Sequence, residues 1–163
     1  MTAPSWQGQL AEPTRLLLLR HGQTALSVER RYSGHGDPVL TDFGRAQAAA
    51  AAKRLADQGG VDVIVSSPLA RARATAQAVA DATGLGVEVH DGLIETDFGA
   101  WEGLTFREAA ARDPELHRRW LGDDDVAPPD GESFAQVGRR LARTRSELVD
   151  RHRGRRVLAV SHV

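Results

Sequence analysis

Short apolar runs alternate with amphipathic stretches along the chain, and the two patterns predict strands and helices in turn. Four consecutive leucines within residues 15–19 predict a strand that is buried on both faces of a parallel sheet. Apolar runs rich in β-branched residues at 61–65, 87–90 and 156–161 predict three further strands. Strands that alternate with helices favour a three-layer α/β/α domain with a mostly parallel central sheet.

Apolar residues at helical spacing lie between these strands, and capping residues mark the helix ends. Thr41 is a predicted N-cap, and Ser133 with Gln136 forms the capping box of the longest helix. The stretch 25–40 is dense in turn-forming residues, so we predict a loop there. The predicted helical segments are 41–59, 69–84, 105–112, 114–121 and 133–154.

The first residues differ in composition from the rest of the chain. Residues 1–14 contain two prolines and no hydrophobic periodicity, which indicates a leader or linker. Residues 15–163 then form one predicted domain, and a chain of 163 residues is long enough for a single substantial core.

Composition excludes several classes of protein. There is no cysteine, so disulfides, thiolate zinc sites and a cysteine nucleophile are excluded. The net charge of −1 gives no general attraction to nucleic acid or to an acidic membrane. No apolar run is long enough to cross a bilayer and no secretion signal is visible, so we expect a cytoplasmic protein. Twenty of the 21 basic side chains are arginine, which favours a GC-rich bacterial source.

Polar side chains follow the predicted strands at the point where each strand ends. Arg20 and His21 follow the first strand, Arg71 lies just past the second, and His162 follows the last. Glu95 comes shortly after the third. Because the carboxyl ends of parallel strands meet at one edge of a sheet, we expect these side chains to converge around His21.

Such a group of side chains suits chemistry on a phosphate. Two guanidinium groups can bind phosphate oxygens through charge-assisted hydrogen bonds, and amides after His21 could add donors because Gly22 allows close approach. Nearby arginines lower the pKa of a histidine and leave a ring nitrogen free to attack phosphorus. A carboxylic acid such as Glu95 can protonate the leaving oxygen and then activate water.

Five motifs in order resemble the histidine phosphatase superfamily, which has the phosphoglycerate-mutase-like fold. They are Leu-Arg-His-Gly-x-Thr at 19–24, Ser-Ser-Pro-Leu-x-Arg-Ala-x-x-Thr-Ala at 66–76, Glu-x-Asp-Phe-Gly-x-Trp-Glu-Gly at 95–103, Gly-Glu-Ser at 131–133 and Val-Ser-His at 160–162. The resemblance implies hydrolysis of phosphate monoesters, as in an acid phosphatase, with no metal or organic cofactor and a small phosphorylated metabolite as substrate.

The resemblance also implies a role for each matching residue. His21 would be the phosphohistidine nucleophile and Glu95 the proton donor. The phosphoryl group would be held by side chains and main chain around them, namely Arg20, Gly22, Gln23, Thr24, Ser27, Arg71 and His162. Ser27 stands where the family often has asparagine, and its hydroxyl is shorter.

Within the family, the motif at 95–103 resembles α-ribazole phosphatases and, more closely, the phosphatase half of actinobacterial ribonuclease H–acid phosphatase fusion proteins. That resemblance implies an N-terminal ribonuclease H domain in the full gene product. The family continues beyond the Ser-His motif, so we expect its C-terminal strands and helix to be missing here. No feature of the sequence decides whether the chain forms a homodimer.

Two other functions and several other site residues stay open at this point. A phosphoglycerate mutase would need a second basic subsite, whereas the stretch 95–131 is short and acidic. A non-catalytic fragment that binds phosphorylated ligands is the other alternative. Glu102 and Asp97 compete with Glu95 for the acid role. The remaining histidines show no spacing typical of metal ligands and are predicted to be structural or solvated.

Overall fold

The computed structural model describes residues 12–162, and its centre is a four-stranded sheet in the order β1-β4-β2-β3. Each neighbouring pair is parallel, which confirms the predicted parallel sheet. The strands are β1 (Arg15–Arg20), β2 (Val63–Ser66), β3 (Val87–Val89) and β4 (Arg156–Ser161). Most of the predicted leader, residues 1–14, lies outside the described residues.

Six helices within residues 12–162 connect and cover the strands. They are α1 (Ala25–Val28), α2 (Asp42–Asp57), α3 (Ala70–Thr83), α4 (Phe106–Arg112), α5 (Pro114–Trp120) and α6 (Phe134–Arg151), with 3₁₀ turns at Asp91–Leu93 and Gly99–Trp101. The caps predicted at Thr41 and Ser133 are confirmed. The prediction of a loop over 25–40 is wrong at its start, because Thr24 and Ser27 form a reciprocal capping box that opens α1.

Alternate residues of β4 separate the two faces of the sheet. Leu158 and Val160 pack with residues of α2 and α3, whereas Val157 and Ala159 pack with Leu148 of α6. These four residues are at most 1% exposed. The pattern produces the predicted three layers, with the core divided between two faces of one sheet.

The prediction that the leucine strand is buried on both faces is wrong. Within the described residues β1 pairs with β4 alone and is an edge strand. Leu18 is 81% exposed, and Leu141 of α6 lies beside it in an open apolar groove. A run of leucines therefore identified a strand correctly but could not show whether the strand is central or at an edge.

The segment after β1 passes very close to the first turn of α2. A β-carbon at Gly22 would overlap the carbonyl oxygen of Gly44, and a β-carbon at Gly44 would overlap that of Gln23. The amide and hydroxyl of Thr41 also donate to the Gln23 carbonyl, at 2.9 and 3.4 Å. Glycine at both positions therefore fixes how closely His21 approaches α2.

We expect Gly44→Ala to lower the free energy of unfolding by about 1–3 kcal/mol, because the added methyl group has no space. Gly138→Ala is the matched control, since a β-carbon there would meet no atom within 4 Å and the position is inside an exposed part of α6. The control should gain about 0.5–1 kcal/mol from the loss of glycine flexibility. Urea unfolding measures both changes, and equal effects would contradict the close approach.

Candidate active site

His21 lies directly after β1, and its main-chain amide donates to the Ser161 carbonyl at 3.1 Å. Its Nδ1 is 2.7 Å from the Gly22 carbonyl oxygen. Because a carbonyl can only accept, Nδ1 carries the proton and Nε2 keeps its lone pair. The Nε of Arg71 donates to that Nε2 at 3.4 Å. The unprotonated nitrogen of His21 therefore faces the guanidinium group of Arg71.

Arg71 in the first turn of α3 has a fully buried side chain. Its Nη1 donates to the Gly36 carbonyl at 2.8 Å, and its Nη2 donates to those of Ser33 and Gly34 at 3.0 and 2.9 Å. Asp37 lies 3.9 Å from Nη1. These bonds hold the guanidinium group in one orientation and leave Nε directed at His21.

His162 follows β4 and lies beside His21, with 5.1 Å between the two ring centroids. Its Nε2 is 2.7 Å from the Ser67 hydroxyl. Its Nδ1 is buried without a hydrogen-bond partner and lies 3.8 Å from a carboxylate oxygen of Glu95. Both histidines and the carboxylate thus meet at the end of the sheet where three parallel strands stop.

Glu95 is 8% exposed, and its Oε1 accepts from the Thr96 amide at 2.8 Å. Burial raises the pKa of Glu95, while the Thr96 amide and Arg71 act in the opposite direction. A raised pKa suits a group that must hold a proton before it donates one.

The two rival carboxylates have other partners. Glu102 accepts from the amides of Gly34 and Gly36, at distances from 2.8 to 3.2 Å. Asp97 accepts from the Gly99 amide at 2.9 Å. Of the three candidates, Glu95 is the one that lines the cavity containing His21.

Both histidines stay neutral at ordinary pH. Burial lowers the pKa of His21 to about 4, with Arg71 and Arg20 adding to the effect and the Gly22 carbonyl opposing it. Burial also lowers the pKa of His162 to about 3, again with a contribution from Arg71. The sequence suggested the arginines as the cause, but burial contributes more.

The main-chain amides after His21 are not free for phosphate. The Gly22 amide donates to the Thr75 hydroxyl at 3.1 Å, and the Gln23 amide donates to the Gln47 side chain at 2.9 Å. We expected these amides to add phosphate donors. Their existing bonds instead fasten the loop to α2 and α3.

Thr24 and Ser27 are bonded mainly to each other. The Thr24 side chain is fully buried and accepts from the Ser27 amide, while the Ser27 hydroxyl accepts from the Thr24 amide at 2.9 Å. The Gln23 side-chain oxygen accepts from Thr41 at 2.9 Å. Gln23 and Ser27 line open space beside His21, and Thr24 lines the smaller cavity there while it also caps α1.

Open space lies on both sides of His21. A cavity of about 450 Å³ has Arg20, Gln23 and Gln47 in its wall. A second cavity of about 280 Å³ contains His21, Arg20 and Glu95 at one end. Half of the ten other residues that line it are aromatic, namely Tyr32, Phe98, Phe106, Trp120 and Phe134.

Arg140 and Glu132 hold the segment that carries Glu95. Nε and Nη2 of Arg140 bind the two carboxylate oxygens of Glu132 at 3.1 and 2.8 Å. Nη1 of Arg140 donates to the carbonyls of Gly92 and Ile94 at 3.0 and 2.8 Å. The clamp was not predicted from the sequence, although the Gly-Glu-Ser motif contains one of its two residues, Glu132.

Residues 12–162 contain no cluster of three or more histidine, aspartate or glutamate side chains arranged to hold a metal ion. Within the same range, no helix has both the length and the apolar character needed to cross a bilayer.

Known proteins are similar to this chain in both sequence and fold. A sequence profile of the histidine phosphatase superfamily (branch 1) matches residues 16–163. The bifunctional protein Rv2228c of Mycobacterium tuberculosis is 59% identical over 162 residues, which cover 99% of this chain and 44% of that protein. The chain therefore spans less than half the length of this relative.

Two solved structures are similar over most of their length. A mycobacterial glucosyl-3-phosphoglycerate phosphatase in complex with VO3 has a TM-score of 0.83 and 40% identity, covering 91% of this chain and 75% of that chain. The α-ribazole phosphatase of Shigella flexneri has a TM-score of 0.82 and 34% identity, covering 91% and 73%. The chain belongs to the histidine phosphatase superfamily, and the expected phosphoglycerate-mutase-like fold is confirmed.

We expect neither His21 nor His162 to take up a proton between pH 8 and pH 5.5, because their pKa values lie at about 4 and about 3. Both rings become protonated on unfolding below the ordinary histidine value of 6.5. Stability should therefore fall as the pH drops from 6.5 towards 4. Two-dimensional NMR of ¹⁵N-labelled imidazoles measures the titration, and a midpoint near 6.5 for His21 would contradict its burial.

Proposed function

We propose that this protein hydrolyses phosphate monoesters through a phosphohistidine formed on His21. The observation that carries the proposal is the orientation of His21, whose protonated Nδ1 binds Gly22 and whose free Nε2 faces Arg71. A neutral imidazole held in this way is a nucleophile that needs no separate base.

The first step transfers the phosphoryl group to His21. Nε2 attacks phosphorus, so an N–P bond forms while the bond to the ester oxygen breaks. Arg71 and Arg20 stabilise the charge on the phosphoryl oxygens, and the unpartnered Nδ1 of His162 offers a further donor. Glu95 gives its proton to the leaving oxygen, which departs as the alcohol.

The second step restores the enzyme. Glu95, now a carboxylate, takes a proton from water as the water oxygen attacks phosphorus. The N–P bond breaks, its electron pair returns to Nε2, and inorganic phosphate leaves. No metal or organic cofactor is used in either step. Glu95 therefore alternates between its protonated and its ionised form within one cycle, and the raised pKa of Glu95 supports this role.

The two alternative functions fit the cavity less well. A mutase must hold a second anionic group, but Arg31, the one cation besides Arg20 that lines this cavity, is already paired with Glu29 and Glu108. A non-catalytic binding module does not require a histidine such as His21, whose tautomer is fixed by a hydrogen bond, or a buried carboxylic acid such as Glu95 beside it. We therefore favour hydrolysis of phosphate monoesters over both alternative functions.

We infer a wider context from the similarity to a protein that is named bifunctional. In this proposal the phosphatase domain acts on a small phosphorylated metabolite in a bacterial cytoplasm. An N-terminal ribonuclease H domain, which the sequence resemblance implied, would supply a second activity in the full gene product. The phosphatase domain itself has no role in binding nucleic acid.

We expect quenching with alkaline SDS during turnover of ³²P-labelled substrate to trap a phosphoryl group on the wild-type protein. The label should be stable in base and labile in acid, as a phosphoramidate is, and the His21→Ala variant should carry none. Mass spectrometry of the digest locates the adduct. Lack of an adduct together with lack of p-nitrophenyl phosphate hydrolysis would overturn the proposal.

We expect Glu95→Gln to lower kcat/KM, which reports the first step, by about 10²–10⁴ for an alkyl phosphate and by much less for p-nitrophenyl phosphate, because nitrophenolate leaves without a proton. Asp97→Asn is the control, since Asp97 is bonded to Gly99 and does not line the cavity with His21. Its ratio of the two rates should match that of the wild type. A Glu95→Gln variant with an unchanged ratio would assign the acid to another group.

A further inference from the structure

We propose that Ser67 is a positioning residue for the proposed reaction, because its hydroxyl donates to Nε2 of His162 and thereby keeps the proton of that ring on Nδ1. The inference rests on the proposed function for the role of His162 in catalysis, but the position of the proton can be measured without hydrolysis. Ser67 lies within the motif at 66–76, and no role was predicted for it from the sequence.

Ser67 and His162 are held at the ends of two neighbouring strands. Ser67 directly follows β2, and its main-chain amide donates to the Val160 carbonyl of β4 at 2.9 Å, two residues before His162. Both side chains are removed from water, since Ser67 is 0% exposed and the side chain of His162 is 2% exposed. The pairing of the strands therefore holds the Ser67 hydroxyl oxygen 2.7 Å from Nε2 of His162.

The other partner of the Ser67 hydroxyl shows which of the two groups donates. The main-chain amide of Leu69 donates to the Ser67 oxygen at 3.4 Å, and an amide N–H cannot accept. Among residues 12–162, Nε2 of His162 is the one acceptor that bonds to this hydroxyl. If Nε2 carried the proton instead, the hydroxyl hydrogen would be buried without an acceptor, an arrangement that folded proteins avoid. Ser67 is therefore the donor.

The hydrogen bond at Nε2 decides the state of the opposite ring nitrogen. Burial lowers the pKa of His162 to about 3, so the ring is neutral and carries one proton. Because Nε2 accepts from Ser67, that proton must be on Nδ1. Within the described part of the chain Nδ1 is buried without a hydrogen-bond partner, and it lies 3.8 Å from a carboxylate oxygen of Glu95.

A protonated Nδ1 is a donor that a phosphoryl oxygen can use. The bond that it forms strengthens as negative charge develops on that oxygen in the transition state. A lone pair on Nδ1 would instead repel both the phosphoryl oxygen and the carboxylate of Glu95. Ser67 lines neither cavity beside His21, so it acts through the ring of His162 and not on the substrate.

The first experiment locates the proton by NMR of ¹⁵N-labelled imidazoles, in which the resonances lost from His162→Ala identify the ring. We expect wild-type His162 to carry its proton on Nδ1 alone. In Ser67→Ala the two nitrogens should become more similar in chemical shift, because the proton is shared between them. Ser66→Ala is the matched control, since the Ser66 hydroxyl is equally buried but donates to the Ser67 carbonyl at 2.9 Å. Its His162 resonances should match those of the wild type.

The second experiment is a double-mutant cycle on the binding of inorganic phosphate, measured by calorimetry. Ser67→Ala should raise the Kd about fivefold, whereas Ser66→Ala should leave it unchanged. In the His162→Ala background Ser67→Ala should cause no further change, because its effect requires the ring. A purely structural role of Ser67 would weaken binding equally in both backgrounds. Circular dichroism of each variant establishes that the fold is retained.

The third measurement is kcat/KM for p-nitrophenyl phosphate. Ser67→Ala should lower it by about tenfold or more, a larger factor than the change in phosphate binding, because the donor on Nδ1 acts most strongly in the transition state. The Ser66→Ala control should keep the wild-type value.

The outcomes separate the positioning role from the reaction. A proton on Nε2 in the wild type, an unchanged His162 spectrum in Ser67→Ala, or equal weakening of phosphate binding in both backgrounds would overturn the role of Ser67. A phosphoryl adduct on His21 would still support the proposed function in that case. The expected spectra and binding cycle, without an adduct or hydrolysis of any ester, would support the positioning role and overturn the function.

Discussion

The site depends on one buried positive charge. A guanidinium group without solvent must have hydrogen bonds and opposite charge around it, and Arg71 obtains both from the loop at 33–37. Glu102 holds two amides of that loop, and Asp37 accepts from the Ala70 amide at 2.8 and 3.0 Å, where α3 begins. Arg71, the loop at 33–37 and the start of α3 therefore stabilise one another. His21 is in turn oriented by its contact with the guanidinium group of Arg71.

The same burial that demands these bonds makes the histidines useful. A phosphate site rich in cations and exposed to water would hold its imidazoles near their ordinary pKa. Here removal from water has the largest effect and lowers the pKa of both rings, so that each is neutral beside Arg71. A neutral ring next to a fixed cation combines nucleophilic character with binding of the anion that it attacks.

The convergence of His21, Arg71 and His162 was predictable because strand ends in a parallel sheet share one edge, which follows from the order of patterns along the chain. The hydrogen-bond partners of individual side chains were harder to predict from the sequence. The capping bonds between Thr24 and Ser27 could not be predicted from the Leu-Arg-His-Gly-x-Thr motif, because the sequence does not show which atom a hydroxyl group will meet. The exposed side of Leu18 was missed for a related reason. A hydrophobic run reports a strand, but its neighbours are decided by distant parts of the chain.

The clamp between Glu132 and Arg140 has a consequence for how the protein responds to heat. His21 is fastened to the sheet, whereas the segment bearing Glu95 is tied to the start of α6 through side chains that are about one fifth exposed. Bonds at a partly exposed helix end open more easily than a strand core. The Ser161 hydroxyl also donates to the Leu93 carbonyl at 2.9 Å, so warming that opens the clamp would loosen the acid rather than release it, and catalysis would weaken at a lower temperature than the one at which the sheet melts.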